Sequence, residues 1–115
     1  MILVFGGMYQ GKTEFARGLI KDRGFAAPLD EPMPDFSAEI ADAMDRGENP
    51  DAYVESRIPE LRGRVVLMND YSQGLVPMGP EQRAFREACG RAMIKLAQES
   101  DEVYRVFCGI GSRLK

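Results

Sequence analysis

The segment Gly6-Gly7-Met8-Tyr9-Gln10-Gly11-Lys12-Thr13 fits the spacing G-x-x-x-x-G-K-[ST]. Each fixed position has a chemical reason. Glycines let successive backbone N–H groups turn inward around a phosphate, and the Lys12 ammonium reaches the β and γ oxygens. The Thr13 hydroxyl ligates Mg²⁺, and the helix that follows offers its positive N-terminal end. Gly6 through Thr13 are therefore the expected binding residues for a nucleoside triphosphate, with Lys12 as catalytic cation and Thr13 as metal ligand. A glycine-rich turn with an incidental Lys-Thr is the bland alternative. The context argues against it, because the match follows an apolar run and opens a helical pattern. Met8-Tyr9-Gln10 makes this loop bulkier than the glycine-richer loops of many nucleotide kinases. Tyr9, at its tip, is placed to stack on a base or ring.

Such a site needs an acid on a neighbouring strand to hold Mg²⁺ directly or through water. Asp70 stands just past the apolar run 65–68, at the carboxyl end of an expected strand, where open α/β sheets bind ligands. It is the expected second metal ligand and catalytic residue, with Asn69 adding a polar contact; an Asn-Asp turn is the plainer alternative. Asp101-Glu102, at the start of the last strand, reads as a solvated turn. No arginine declares itself as a transition-state clamp. Arg83, Arg86 and Arg91 read as surface charges paired with Glu81 and Glu87, and Arg113 and Lys115 are equally undecided. There is no histidine, so chemistry must run on Lys, Arg, carboxylates, hydroxyls, thiols, backbone amides and a bound ion. Cys89 and Cys108 fall in apolar patterns without metal-ligand spacing and read as core thiols.

The elements that must position these groups alternate in type. Ile2 to Phe5 reads as a strand buried on both faces. A helix follows from Lys12 to about Lys21, with Phe15, Leu19 and Ile20 inward and a stop at Gly24. The proline- and acid-rich stretch 25–36 reads as a loop, with a brief strand at 25–29. Ser37 is expected to cap a helix through Met44. Asn49-Pro50 starts another, which Pro59 should end early. A second strand covers 65–68, a glycine-punctuated loop 72–77, and the longest helix runs from Gly79-Pro80-Glu81 to Glu99. Its inward face is Phe85, Ala88/Cys89, Ala92/Met93 and Leu96. Val103 to Cys108 is a third strand and 109–115 a tail. The pattern predicts an α/β fold: a small P-loop, RecA-like three-layer domain over 1–115, with a mostly parallel sheet of three to five strands.

The chain has 115 residues, 44% hydrophobic and 29% charged, with net charge −3. That is the size and balance of one globular domain. The acidic balance argues against a nucleic-acid partner. No apolar run is long enough to span a membrane, and the first residues lack a basic leader, so a cytoplasmic location is expected.

Several segments together resemble the bifunctional adenosylcobinamide kinase / adenosylcobinamide-phosphate guanylyltransferase family. They are Met1 through Gly7 with Gly11-Lys12-Thr13; Asn69-Asp70-Tyr71-Ser72-Gln73-Gly74-Leu75-Val76-Pro77; and Arg83, Phe85-Arg86, Gly90-Arg91 and Leu96-Ala97 on the long helix. Asp101-Glu102-Val103 through Gly109-Ile110 and Leu114-Lys115 complete the set. The resemblance covers residues 1–20 and 65–115, with Asp70 where the family has Glu. It implies GTP or ATP as donor, Mg²⁺, a corrinoid alcohol as acceptor, and a homo-oligomer, a trimer in the long family. The family is longer between the P-loop helix and Asn69. There it carries the histidine that accepts GMP, so the guanylyl-enzyme intermediate cannot form on this chain.

Three functions follow as expectations. The first is a Mg²⁺-dependent kinase acting on the aminopropanol hydroxyl of adenosylcobinamide or a related small alcohol. The second is a nucleotide-binding regulatory or assembly module without transfer. The third is a simple NTPase, for which Gln73 would position water.

Overall fold

The computed structural model describes residues 1–71 and 79–115. The loop expected at 72–77, with Gln73, lies outside the described residues. Along the chain come β1 (Ile2–Gly6), α1 (Lys12–Arg23), α2 (Phe36–Asp45), α3 (Pro50–Leu61), β2 (Val65–Asn69), α4 (Pro80–Glu99), β3 (Glu102–Phe107) and β4 (Ile110–Arg113). Among these residues the sheet order is β2-β1-β3-β4. β1 pairs in parallel with β2 and β3, and β4 returns antiparallel to β3. The expected mostly parallel α/β fold of three layers is what the chain forms.

Alternation along the strands divides the core in two. Ile2, Val4, Val65, Leu67, Tyr104 and Val106 face α1, against Ala16 and Ile20 with Phe15 and Leu19 at the margin. Leu3, Val66, Met68 and Val103 face the opposite way, onto Phe36, Ile40, Val54, Ile58, Leu61, Ala88, Cys89, Ala92 and Leu96 of the other three helices. β1 is thus covered on both faces and paired on both edges, so the loop leaving its end starts from a fixed point. No described helix is long and apolar enough to cross a membrane.

Several local expectations are corrected. The N-cap of α2 is Asp35, whose side chain accepts from the Ser37 amide; Ser37 is itself helical and buried. Phe36, Ile40 and Ala43 form the inward stripe, so the helix has to begin before Ser37. Pro59 lies inside α3 rather than ending it. It removes one hydrogen bond in the last turn, while Ile58 and Leu61 are buried there and keep the chain helical. No strand forms at 25–29. The loop instead bridges β2 through Met33, paired in parallel with Val66 and donating its amide to the Val65 carbonyl at 2.8 Å.

The expected tail is β4. The two-residue loop Cys108-Gly109 joins Phe107 to its partner Ile110. Both loop residues have positive φ, 52° and 76°, the geometry of a type I′ hairpin turn. Cys108 is consequently exposed rather than core, and Cys-Gly lacks the Asn-Gly signature that announces such a turn. A side chain on Gly111 has no room: its Cβ would lie 2.1 Å from the Phe15 ring.

Glu102 is likewise no solvated turn. Its carboxylate accepts both Arg23 guanidinium N–H groups at 2.6 Å and the Tyr104 hydroxyl at 2.8 Å. These bonds, Arg23 first and Tyr104 next, hold it down at about 2, from an ordinary 4.5. The folded state therefore binds fewer protons here than the unfolded chain below pH 4.5. The stabilisation is complete above that pH and is lost as pH falls toward 2. Glu102→Gln should lower the melting temperature at pH 7, and thermal scans should show the gap to wild type closing between pH 4.5 and 2. A gap that persists at pH 2 would contradict the assignment.

Candidate phosphate-binding site

The loop between β1 and α1 leaves the sheet at Gly6, where a Cβ would stand 2.4 Å from the Val106 carbonyl oxygen. The chain passes through Tyr9 (φ 60°) and Gly11 (φ 89°) in left-handed conformations before α1 begins at Lys12. Gly7 is half-buried, and Met8 and Tyr9 project into solvent, Tyr9 at 95% exposure. Lys12 is buried and donates from Nζ to the Gly7 carbonyl at 2.7 Å, so its ammonium folds back over the loop. Thr13, one residue into the helix, is exposed. A strand, a loop with left-handed residues, an inward lysine and a helix N-terminus make a cradle for an anion.

Burial lowers the Lys12 ammonium below its ordinary 10.5, and the Asp35 carboxylate opposes that shift. A bound phosphate would act on the ammonium in the same direction as Asp35.

Asp35 is the residue that sequence reasoning missed. Its Oδ1 accepts from the Ser37 amide at 3.1 Å and the Asn69 amide at 3.0 Å. Its Oδ2 accepts from the Ser37 hydroxyl at 2.5 Å and Asn69 Nδ2 at 2.8 Å. One carboxylate caps α2, fixes the end of β2 and supplies negative charge toward Lys12. The available signal was the apolar stripe starting at Phe36, which makes the preceding Asp the cap. The proline-rich loop that delivers Asp35 is thereby pinned to the β2 edge at Met33 and at Asn69.

Asp70 donates its amide to the Gly6 carbonyl at 2.8 Å, which sets it against the start of the phosphate loop. Thr13 and Asp70 thus both follow the carboxyl ends of neighbouring parallel strands, β1 and β2. A hydroxyl and a carboxylate are the hard oxygen donors that Mg²⁺ takes, in company with phosphate oxygens and water. They fit such an ion; among the described residues no group of three or more His, Cys, Asp or Glu forms a site of another kind.

A cleft of about 670 Å³ opens beside Asp70. Phe5, Tyr71, Cys89 and Met93 contribute its apolar surface, and Arg83, Arg86 and Glu87 of α4 its polar one. Arg83 and Arg86 are therefore cleft residues, not pairs for Glu81 and Glu87 alone. Arg91 reaches away to Asp51 on α3, at 3.0 Å. Burial pushes the Cys89 thiol up to about 12, Asp35 adding to the effect, which disfavours the thiolate that a nucleophile needs.

The family model described as cobinamide kinase / cobinamide phosphate guanyltransferase matches residues 37–114. The bifunctional adenosylcobalamin biosynthesis protein CobU of Salmonella typhimurium (strain LT2) is 39% identical over 51 residues, 44% of this chain. The matched stretch spans 28% of that relative's length. The family match includes Asp70 and every lining residue of the cleft except Phe5, and it begins beyond Gly6 to Thr13.

Two outcomes are expected. Asp35→Ala should destabilise the protein by about 2–4 kcal/mol in urea titrations, because it removes a cap and leaves buried donors unmatched; Asp35→Asn should cost less. Phosphate or nucleotide binding should take up protons in the alkaline range below pH 10.5, since the anion raises a depressed lysine. Calorimetry in buffers of different ionisation enthalpy would reveal that uptake, and Lys12→Met should abolish it.

Proposed function

The chain belongs to the cobinamide kinase / cobinamide phosphate guanyltransferase family, and on that premise we propose that it transfers the γ-phosphoryl group of ATP or GTP to a hydroxyl of cobinamide or a related corrinoid alcohol. The observation carrying the reading is the juxtaposition of the Lys12 loop with Asp70, tied by the Asp70 amide to Gly6, at the mouth of the cleft on α4.

The loop amides and the Lys12 ammonium hold the triphosphate and stabilise charge that spreads over the transferred phosphoryl, the main task in such reactions. Thr13 and Asp70 would hold Mg²⁺, whose contribution when bound is to neutralise charge on the phosphate oxygens. Asp70 also stands where an acceptor lying in the cleft would present its hydroxyl, and it orients that group. Apolar Phe5, Tyr71 and Met93 would cover the acceptor's body, and Arg83 and Arg86 its polar substituents. The guanyltransferase half of the family's description is left out of the proposal: the GMP carrier expected from the resemblance is a histidine, and the chain has none. Cytoplasmic location and a homo-oligomer, trimeric as in the long family, belong to the same proposal.

The test titrates ATP and GTP with Mg²⁺ into the protein, then adds adenosylcobinamide and reads products by mass spectrometry. Nucleotide binding and a corrinoid heavier by one phosphate are expected. Lys12→Ala should reduce turnover by at least about 10²-fold with an unchanged circular dichroism spectrum. Binding without transfer would replace the kinase by a nucleotide-binding module, and turnover indifferent to Lys12 would remove the site assignment.

A further inference from the structure

The phosphate loop holds a conformation that its own residues do not favour. Tyr9 sits at φ 60°, a left-handed geometry that L residues other than glycine adopt only at a cost. It is 95% exposed, so packing does not hold it there. Backbone strain of this kind persists only where the surroundings over-determine it.

The next residue supplies the restraint. Gln10 is fastened twice to the turn between β3 and β4. Its side-chain Oε1 accepts from the Cys108 amide at 2.8 Å, and its backbone carbonyl accepts from the Gly109 amide at 2.8 Å. Gly11, itself at φ 89°, comes so close to this turn that a Cβ there would lie 3.1 Å from the Gly109 Cα. The two amides are aimed at the loop because the turn is type I′, with both of its residues left-handed. Gln10 thus stands between two left-handed residues of the loop and grips two left-handed residues of the hairpin.

We propose that Gln10 is a positioning residue for nucleotide binding: through the Cys108-Gly109 turn it holds the phosphate loop in its anion-binding shape before the ligand arrives. Gln10 acts on the loop's backbone N–H groups, not on the phosphates. The inference rests on the nucleotide-binding reading of the site and goes beyond it. It makes the β3–β4 hairpin, which lies outside the motif, a part of the binding apparatus. A preorganised loop loses less freedom when the ligand binds, so loosening it should appear as weaker affinity for the triphosphate.

The experiment compares wild type with Gln10→Met, which keeps length and volume but has no acceptor for the Cys108 amide. Amide hydrogen exchange is measured first without ligand. Gln10→Met should speed exchange at Cys108 and at the loop residues 8–11, while β1 and α4 keep their protection. Calorimetry with Mg²⁺ and ATP or GTP should then show roughly 5- to 10-fold weaker binding, the scale of one hydrogen bond. In turnover the loss should fall on KM for the nucleotide and leave kcat within about twofold.

Adding Cys108→Asn to Gln10→Met should recover part of the affinity, because Asn-Gly is the preferred type I′ pair and stiffens the latch from the other side. A merely structural role for Gln10 would lower the melting temperature without that split or that rescue. Unchanged exchange at residues 8–11 in Gln10→Met, or equal nucleotide affinity in the two proteins, would overturn the proposal. If wild type binds neither nucleotide, the reading of the site falls by itself, and ligand-free exchange still decides whether Gln10 holds the loop.

Discussion

The carbonyl of Val106 leaves no space for a side chain at Gly6, and much of the site follows from that contact. β1 and β3 approach at their carboxyl ends closely enough that only glycine fits where the loop begins. The same glycine offers its carbonyl to the Asp70 amide on the other side. One residue thereby sets the departure point of the phosphate loop and the position of the acid across from it. Because β1 has neighbours on both edges and helices on both faces, neither can drift without disturbing the core.

The second organising element is a charge kept away from water. Lys12 is buried, which disfavours its ammonium, and its hydrogen-bond partner is a backbone carbonyl, not a carboxylate. Asp35 supplies compensating charge, delivered by a loop that sequence makes look irregular. Four accepted hydrogen bonds tie that carboxylate to α2 and the end of β2. The proline-rich stretch is thus a strut joining a helix cap to the strand that leads to Asp70, and it is fastened to the sheet rather than placed as a cover.

The sequence revealed most where physics is local and periodic. Apolar runs located β1, β2 and β3 to within a residue or so, and the stripe on α4 was visible in its spacing. The loop between β1 and α1 was legible because glycines at fixed intervals interrupt an apolar run just before a helical pattern begins at Lys12. The failures share a cause. β4 was invisible since four residues, half of them polar and exposed, carry no strand signal, and Cys-Gly does not announce a hairpin. Asp35 was missed because its value lies in tertiary partners, Asn69 above all, 34 positions away. Glu102 looked solvated until the fold brought Arg23 to it. Pro59 was overruled by two buried side chains around it. Local propensity yields to packing in each case, and the strand-to-site distances that matter here are set by packing.

The strand order also decides where the sheet could pair, edge to edge, with another chain. A sheet that ends in free strands offers unpaired backbone groups to any passing chain. On one side, Met33 covers part of β2 with a single bridge and turns the loop along it. On the other, β4 is only four residues long and ends at Arg113, whose guanidinium lies toward Tyr104 and Glu102. Ile110 and Phe107 are exposed at that margin, a surface that would invite strand-to-strand stacking if it were longer or flatter. A short outer strand ending in a charge limits edge-to-edge pairing at a border that is otherwise apolar.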